Sequence, residues 1–274
     1  MMLKTAIYKG AKINYFQKGR SKRTVFLIHG FLESHKVWDD YAKVLSKHNT
    51  VYSIDLPGHG KSECLGYIHS MEEMAGCVKK ILDDNNKRKA VIVGHSLGGY
   101  VALAFGDKYP DALKGLCLFN STAKPDTEEK VKFRNRAIQV VKRNHEMFIK
   151  EAIPNLFVNK NTAALRGAVR RVVNTALKTP KQGVLAALEG MKVRPDREII
   201  LRFAPYPVLC IAGKKDLVVR WRDLKAQSEL CADGSFHLSE KGGHMCFYED
   251  KYPCLKVLEK FIIRCYVKPR KQLD

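Results

Sequence analysis

The chain has 274 residues, 45% hydrophobic and 9% aromatic, which excludes a mainly disordered protein and suits one large domain or one domain with an insertion. No apolar run reaches the roughly 18 residues that span a bilayer. The opening stretch 1–16 lacks the apolar core of a signal peptide, so a cytoplasmic protein away from membranes is expected. Forty-nine Lys and Arg against 28 acids give a net charge of +21, the one unusual number. Such a balance suggests nucleic acid, but the cations are scattered. The densest short clusters, 18–23 and 87–89, lack the interleaved aromatics of a base-stacking surface. A solvated basic surface is expected, with no specific nucleic-acid partner. None of the eight cysteines shows metal-site C-x-x-C spacing, so free thiols in a reducing compartment are expected.

In chain order, residues 3–9 and 12–17 alternate across Lys9-Gly10 and read as a hairpin. Residues 24–29 are a short apolar run, as in a strand buried on both faces. Residues 34–47 carry helical spacing, 50–55 read as a strand and 70–82 as a helix. Residues 89–94 are the most apolar strand and lead into a helix over 97–108, then a strand over 113–119. This alternation implies a mostly parallel sheet with helices on both faces. It then stops. Residues 121–203 show no convincing strand. Asp126 and Glu129 offer a capping box for a helix to about Asn144. Further helices are expected near 145–153, 162–178, 181–191 and 195–203, punctuated by Pro154, Pro180 and Pro195. Residues 121–200 hold 17 Lys and Arg against 8 acids. Strands resume at 208–212 and 235–239, with helices near 220–231 and 250–267. The implied organisation is a core in two parts, 1–120 and 205–274, with a helical insertion at 121–204.

Gly94-His95-Ser96-Leu97-Gly98 fits G-x-S-x-G between a strong strand and a helix, where the motif has mechanical meaning. The sharp turn projects the serine hydroxyl above the sheet, and the glycines two before and two after keep neighbouring side chains from colliding. A serine hydroxyl needs a base. Among nine histidines, His244 lies on a Gly242-Gly243-His244 loop after the last strand, at the sheet's carboxyl edge. His237 sits inside that strand and reads as structural. His29, His59 and His95 flank glycine turns and read as loop-orienting. His35, His48, His69 and His145 have no supporting context. Asp216 follows the strand at 208–212 and precedes His244 by 28 residues, which suits it to orient the imidazole. Asp126 and Asp223 are weaker alternatives. Gly30 would let the loop after residues 24–29 aim the Phe31 N–H at the site, with the Leu97 N–H as second oxyanion donor.

With these residues in place the sequence resembles the capped branch of the α/β-hydrolase superfamily over roughly residues 12–265. The resemblance rests on His29-Gly30-Phe31, Asp55-Leu56-Pro57-Gly58-His59-Gly60-Lys61-Ser62, the serine turn, Asp216 and His244. It implies an α/β-hydrolase fold, an eight-stranded, mostly parallel sheet with an inserted helical cap, and a structural turn at Asp55–Ser62. Ser96 argues against the aspartate and cysteine nucleophiles of sister branches. The leading expectation is a carboxylic-ester or thioester hydrolase acting on a small-molecule acyl substrate without metal or cofactor. Phe31, Leu32, Tyr100, Phe148 and Phe157 are candidate pocket residues, with Leu97 and Leu156 beside them. The alternatives are a C–C bond hydrolase, the lyase of menaquinone biosynthesis, and a catalytically silent binder. In that lyase family an arginine stands where this chain has Tyr100. The insertion arginines, Arg134 among them, read more simply as a solvated helix face.

Overall fold

The computed structural model describes residues 2–158 and 160–267, so the end of the expected second core part, 268–274, lies outside it. Eight strands form one sheet in the order β1-β2-β4-β3-β5-β6-β7-β8. β1 (Met2–Tyr8) and β2 (Ala11–Lys18) are antiparallel, as are β2 and β4 (Thr50–Ile54). β3 (Thr24–Ile28), β5 (Ala90–His95), β6 (Leu113–Phe119), β7 (Val208–Gly213) and β8 (Gly234–Ser239) continue the sheet in parallel with β4. The β1–β2 turn has φ 49° at Lys9 and 84° at Gly10, the two left-handed positions that match the twist of a hairpin. Every residue of β3, β4, β5 and β7 is buried, which is why these strands read as unbroken apolar runs.

The expected helix at 34–47 is two pieces, a 3-10 turn at His35–Trp38 and α1 (Asp39–Leu45). The chain stays near the sheet there because Trp38 is buried and stacks on Phe247, ring centroids 5.2 Å apart. α2 (Met71–Asp84) begins where Ser70 accepts the Glu73 N–H, and α3 (Leu97–Lys108) follows β5 directly. Between β6 and β7 lie only helices among the described residues: α4 (Glu128–Ala152), α5 (Ala163–Ala176), α6 (Lys181–Lys192) and α7 (Glu198–Arg202), with short 3-10 turns. α4 is broken at Asn144 (φ −152°, ψ 90°), whose side chain accepts the Met147 N–H and starts the second half. The expected capping box is not formed. Thr127 caps α4 by accepting the Lys130 N–H, and the Asp126 carboxylate turns instead to Arg134 and Arg194. Two guanidiniums are stronger partners for a carboxylate than one amide. α8 (Trp221–Glu229) packs on β7 and β8, and α9 (Cys246–Glu249) and α10 (Lys251–Tyr266) end the described chain.

Charge is redistributed by folding. Lys22, Lys87, Arg88 and Lys89, from the two clusters seen in sequence, meet Lys114 in one open groove. All lie at the amino ends of β3, β5 and β6, opposite the carboxyl edge that carries Ser96.

The start of α3 lies hard against β3. A Cβ on Gly98 would stand 2.3 Å from the Ile28 carbonyl oxygen and 2.7 Å from that of His29. Backbone cannot yield as a side-chain tip can. Gly98→Ala is expected to lower stability by about 2–3 kcal/mol. Gly66→Ala, with nothing within 4 Å of the added Cβ, should stay within about 0.5 kcal/mol. Urea unfolding of the two variants checks the difference.

Candidate functional site

Ser96 sits between β5 and α3 with φ 49° and ψ −115°, a conformation L residues rarely adopt. A Cβ at Gly94 would stand 2.1 Å from the Gly98 carbonyl oxygen, so both flanking glycines are demanded by the turn. The turn is held from β6. The Ser96 N–H donates to the Phe119 carbonyl at 3.0 Å, and the Ser121 hydroxyl donates to the Ser96 carbonyl at 2.8 Å. Leu97 is the first residue of α3, so its N–H is among those the helix itself leaves without a partner.

Asp216 and His244 come together from the loops after β7 and β8. Gly213 makes this possible, because a Cβ there would stand 2.1 Å from the Gly243 carbonyl oxygen. His244 Nδ1 lies 2.9 Å from Asp216 Oδ2. The same oxygen accepts from Asn120 Nδ2 at 2.7 Å, and Oδ1 accepts the Val218 and Val219 N–H groups at 2.7 and 3.1 Å. Burial alone would raise the Asp216 carboxyl. The His244 ring, Asn120 and the Val218 amide outweigh it and hold the carboxyl below its ordinary range. For His244, burial disfavours the charged ring, yet Asp216 beside it lifts the pKa above the ordinary 6.5. Asp126 is bonded to its arginines rather than to His244, and Asp223 pairs with Arg220 at the start of α8.

Two supporting residues are absent from the sequence reading. Asn120, left-handed at φ 47°, also donates to the Gly243 carbonyl at 3.2 Å and accepts from Cys246 Sγ, tying the ends of β6, β7 and β8 together. Its only sequence signal is a polar residue directly after a buried strand. Glu33, buried after β3, accepts the Gly30 N–H at 2.6 Å and faces His95 Nδ1. His95 Nε2 in turn faces the His244 carbonyl at 2.9 Å. Both ring nitrogens of His95 thus face oxygen atoms, one on Glu33 and one on the His244 backbone. Burial would raise the Glu33 carboxyl, but His95 and the Gly30 amide hold it low. A Cβ at Gly30 would stand 2.8 Å from His95 Nδ1, so the glycine admits this pair as well as the turn.

Four further histidines, His29, His35, His59 and His69, pack at loops and turns. His29 Nε2 accepts the Leu56 N–H at 3.0 Å, and His35 Nδ1 lies 2.8 Å from Asp55, which also accepts the His35 and Lys61 amides. Burial pushes His59 down to about 3 and His69 to about 4. Asp55–Ser62 is therefore a packed turn, with Gly60 (φ +56°) leaving room for the Asp55 carboxylate.

Ser96 and His244 open on one cavity of about 390 Å³. Phe31, Leu32, Tyr100 and Phe148 line it, as does Leu156. Phe157 does not. Its ring is buried 6.0 Å from that of Tyr248, just past the Pro154–Leu156 turn. The Leu97 side chain packs into the hydrophobic core instead. Arg134, expected on a solvated face, lines the cavity. Among the described residues no group of three His, Cys, Asp or Glu could hold a metal ion, and no helix is long and apolar enough to cross a membrane.

Comparison with known proteins agrees with this fold. A family model described as the α/β hydrolase fold matches residues 23–251. A thermophilic esterase from Thermogutta terrifontis superposes with a TM-score of 0.91 at 26% identity, over 97% of this chain and 100% of that one. A pimeloyl-[acyl-carrier protein] methyl ester esterase of Neisseria meningitidis is 26% identical over 202 residues, 72% of this chain and 62% of the relative. The abhydrolase domain-containing protein abhd-5.2 of Caenorhabditis elegans is 35% identical over 103 residues, 36% of this chain but only 23% of that protein. With an eight-stranded sheet in the order above, a serine at the β5–α3 turn and a family match over most of its length, the chain belongs to the α/β hydrolase fold family.

Proposed function

We propose that the chain is a serine hydrolase cleaving a carboxylic ester, or thioester, of a small molecule through an acyl-enzyme on Ser96. The observation that carries this reading is the buried His244–Asp216 hydrogen bond, opening on the same cavity as a strained Ser96. Relatives named as esterases support it.

In this reading Ser96 Oγ attacks the carbonyl while His244 Nε2 takes its proton. Asp216 holds Nδ1–H and so fixes the tautomer that leaves Nε2 free. The tetrahedral oxyanion is held by the Phe31 and Leu97 N–H groups. His244 then protonates the leaving alcohol, and the acyl group stays on Ser96. Water replaces the alcohol and attacks the acyl carbon, giving its proton to His244, which returns it to Ser96 Oγ as the acid leaves. The helical segment 121–204 acts as the cap, its Phe148 and Leu156 covering a largely apolar acyl site.

Ser96→Ala is expected to lower turnover of activated esters by at least about 10⁴-fold. It should also abolish the fluorophosphonate adduct that mass spectrometry finds on Ser96 in the wild type. An adduct elsewhere would remove the nucleophile assignment. Asp216→Asn should slow acylation by about 10³–10⁴-fold, because the ring loses tautomer control.

The pH dependence has a definite sign. The base works unprotonated, and its pKa lies above 6.5 in the folded protein. Activity should therefore fall as pH drops through a value above 6.5, visible as the acidic limb of kcat/KM. Asp216→Asn removes the partner that raises the ring while burial remains, so the limb of the residual activity should move to lower pH.

A further inference from the structure

The cavity that holds Ser96 is lined chiefly by apolar side chains, and two lining residues carry formal charge, Glu33 and Arg134. Glu33 is occupied by His95 and the Gly30 amide. Arg134 is different. The neighbouring cations of its helix, Lys130, Lys132 and Arg136, are exposed, while Arg134 is drawn in to Asp126.

Asp126 does not neutralise it fully. The same carboxylate, fully buried, also accepts from Arg194 Nη1 at 2.7 Å. Arg194 also donates to the Met191 carbonyl at 2.8 Å and the Lys124 carbonyl at 3.1 Å, its guanidinium lies 3.9 Å over the Tyr100 ring, and its buried Nε–H has no partner among the described residues. Among the described residues no second carboxylate reaches either guanidinium. Two cations against one anion leave a formal +1 at the cavity wall.

The donor count agrees. Of the five N–H groups of Arg134, two bond to Asp126 and one meets the Met191 thioether at 3.4 Å, a weak acceptor. The other two have no acceptor among the described residues. A guanidinium at an apolar wall costs free energy unless acceptors meet it, and its planar fork matches a carboxylate.

We propose that Arg134 is a specificity-determining residue that receives a carboxylate on the substrate, so that the preferred ester carries an apolar chain ending in an anion. This rests on the ester-hydrolase reading above and names its substrate class.

The test uses matched pairs. For an anion on the acyl side, p-nitrophenyl hexanoate is compared with the p-nitrophenyl monoester of adipate. For one on the alcohol side, butyl acetate is compared with the acetate ester of 4-hydroxybutyrate. The readout is the kcat/KM ratio, anionic over neutral, in each pair. The wild type should favour the anionic member in one pair, and Arg134→Met should reduce that ratio about ten- to a hundredfold, mainly through KM. Arg134→Lys should keep part of the preference, and Arg136→Met, at an exposed cation on the same helix, should leave the ratio unchanged. A merely structural role would depress both members together, so an unchanged ratio in folded Arg134→Met overturns the proposal. So does the absence of preference in both pairs for the wild type.

If Arg134→Met does not fold, as read by its thermal melt, Arg134→Lys and calorimetry of hexanoate against the neutral 1-hexanol on the wild type decide the matter. Tighter hexanoate binding supports the subsite and equal binding overturns it. If the wild type cleaves neither pair and Ser96 takes no fluorophosphonate, the ester-hydrolase reading fails separately. The same calorimetry then still reads the anion subsite.

Discussion

A carboxylate inside a protein keeps its charge only where donors replace the water it has lost, and the whole carboxyl edge of this sheet is arranged around that requirement at Asp216. Its four donors come from three places: the His244 ring, the Asn120 side chain, and the Val218 and Val219 amides of its own loop. Each donor commits a piece of chain. Asn120 can reach only from the end of β6, so it takes up a left-handed backbone. His244 can reach only if the loop after β8 closes over Gly213, so that residue carries no side chain. Glu33 and His95 extend the brace from β3 and β5 to the His244 carbonyl. Five strand ends are thus fixed by one buried charge and its neighbours.

The backbone takes up the remaining strain. Among described non-glycine residues with positive φ, Lys9 and Asn86 lie in peripheral turns, and Leu32, Ser96 and Asn120 lie at the site. Such conformations cost on the order of 1–3 kcal/mol each and persist only where surrounding structure over-determines them. Here the over-determination is visible. Ser96 is pinned by Phe119 and Ser121, and Asn120 by Asp216, Gly243 and Cys246. The rigid sheet beneath, buried on both faces, supplies the anchor.

Most of this architecture was legible in the sequence because it is written in local patterns. Unbroken apolar runs mark the central strands, and G-x-S-x-G marks a turn between a strand and a helix. The order Ser96, Asp216, His244 places all three at strand ends, and the structure sets Asp216 against His244 beside the serine's cavity. The rest depends on contacts that no local pattern carries. Asp126 has the spacing of a helix cap, yet its carboxylate is taken by Arg134, eight residues on, and by Arg194, 68 residues on. Glu33 looks like an ordinary loop acid until His95, 62 residues away, is beside it. Phe157 is apolar enough for a pocket but lies past the Pro154–Leu156 turn, its ring packed beside Tyr248. The single helix expected at 34–47 divides because Trp38 must stay against Phe247.

The same distinction governs the charge of +21. Counted in sequence, Arg134 is one of 49 cations; in the fold its position separates it from most of them. Exposed lysines act through water and salt, and beyond a Debye length of about 8 Å their influence is largely screened. The groove formed by Lys22, Lys87, Arg88, Lys89 and Lys114 lies at the far end of the sheet and has little leverage on Ser96. Arg134 stands, partly buried, in the wall of the cavity that holds Ser96, sharing a single buried carboxylate with Arg194. There the effective dielectric is lower, so a charge acts more strongly on any ligand that enters. Arg194, stacked over Tyr100, bonds to backbone carbonyls and Asp126, and Arg134 is the member of the pair that lines the cavity. What the cavity presents to a ligand is therefore set less by the overall charge than by how one aspartate is divided between two arginines.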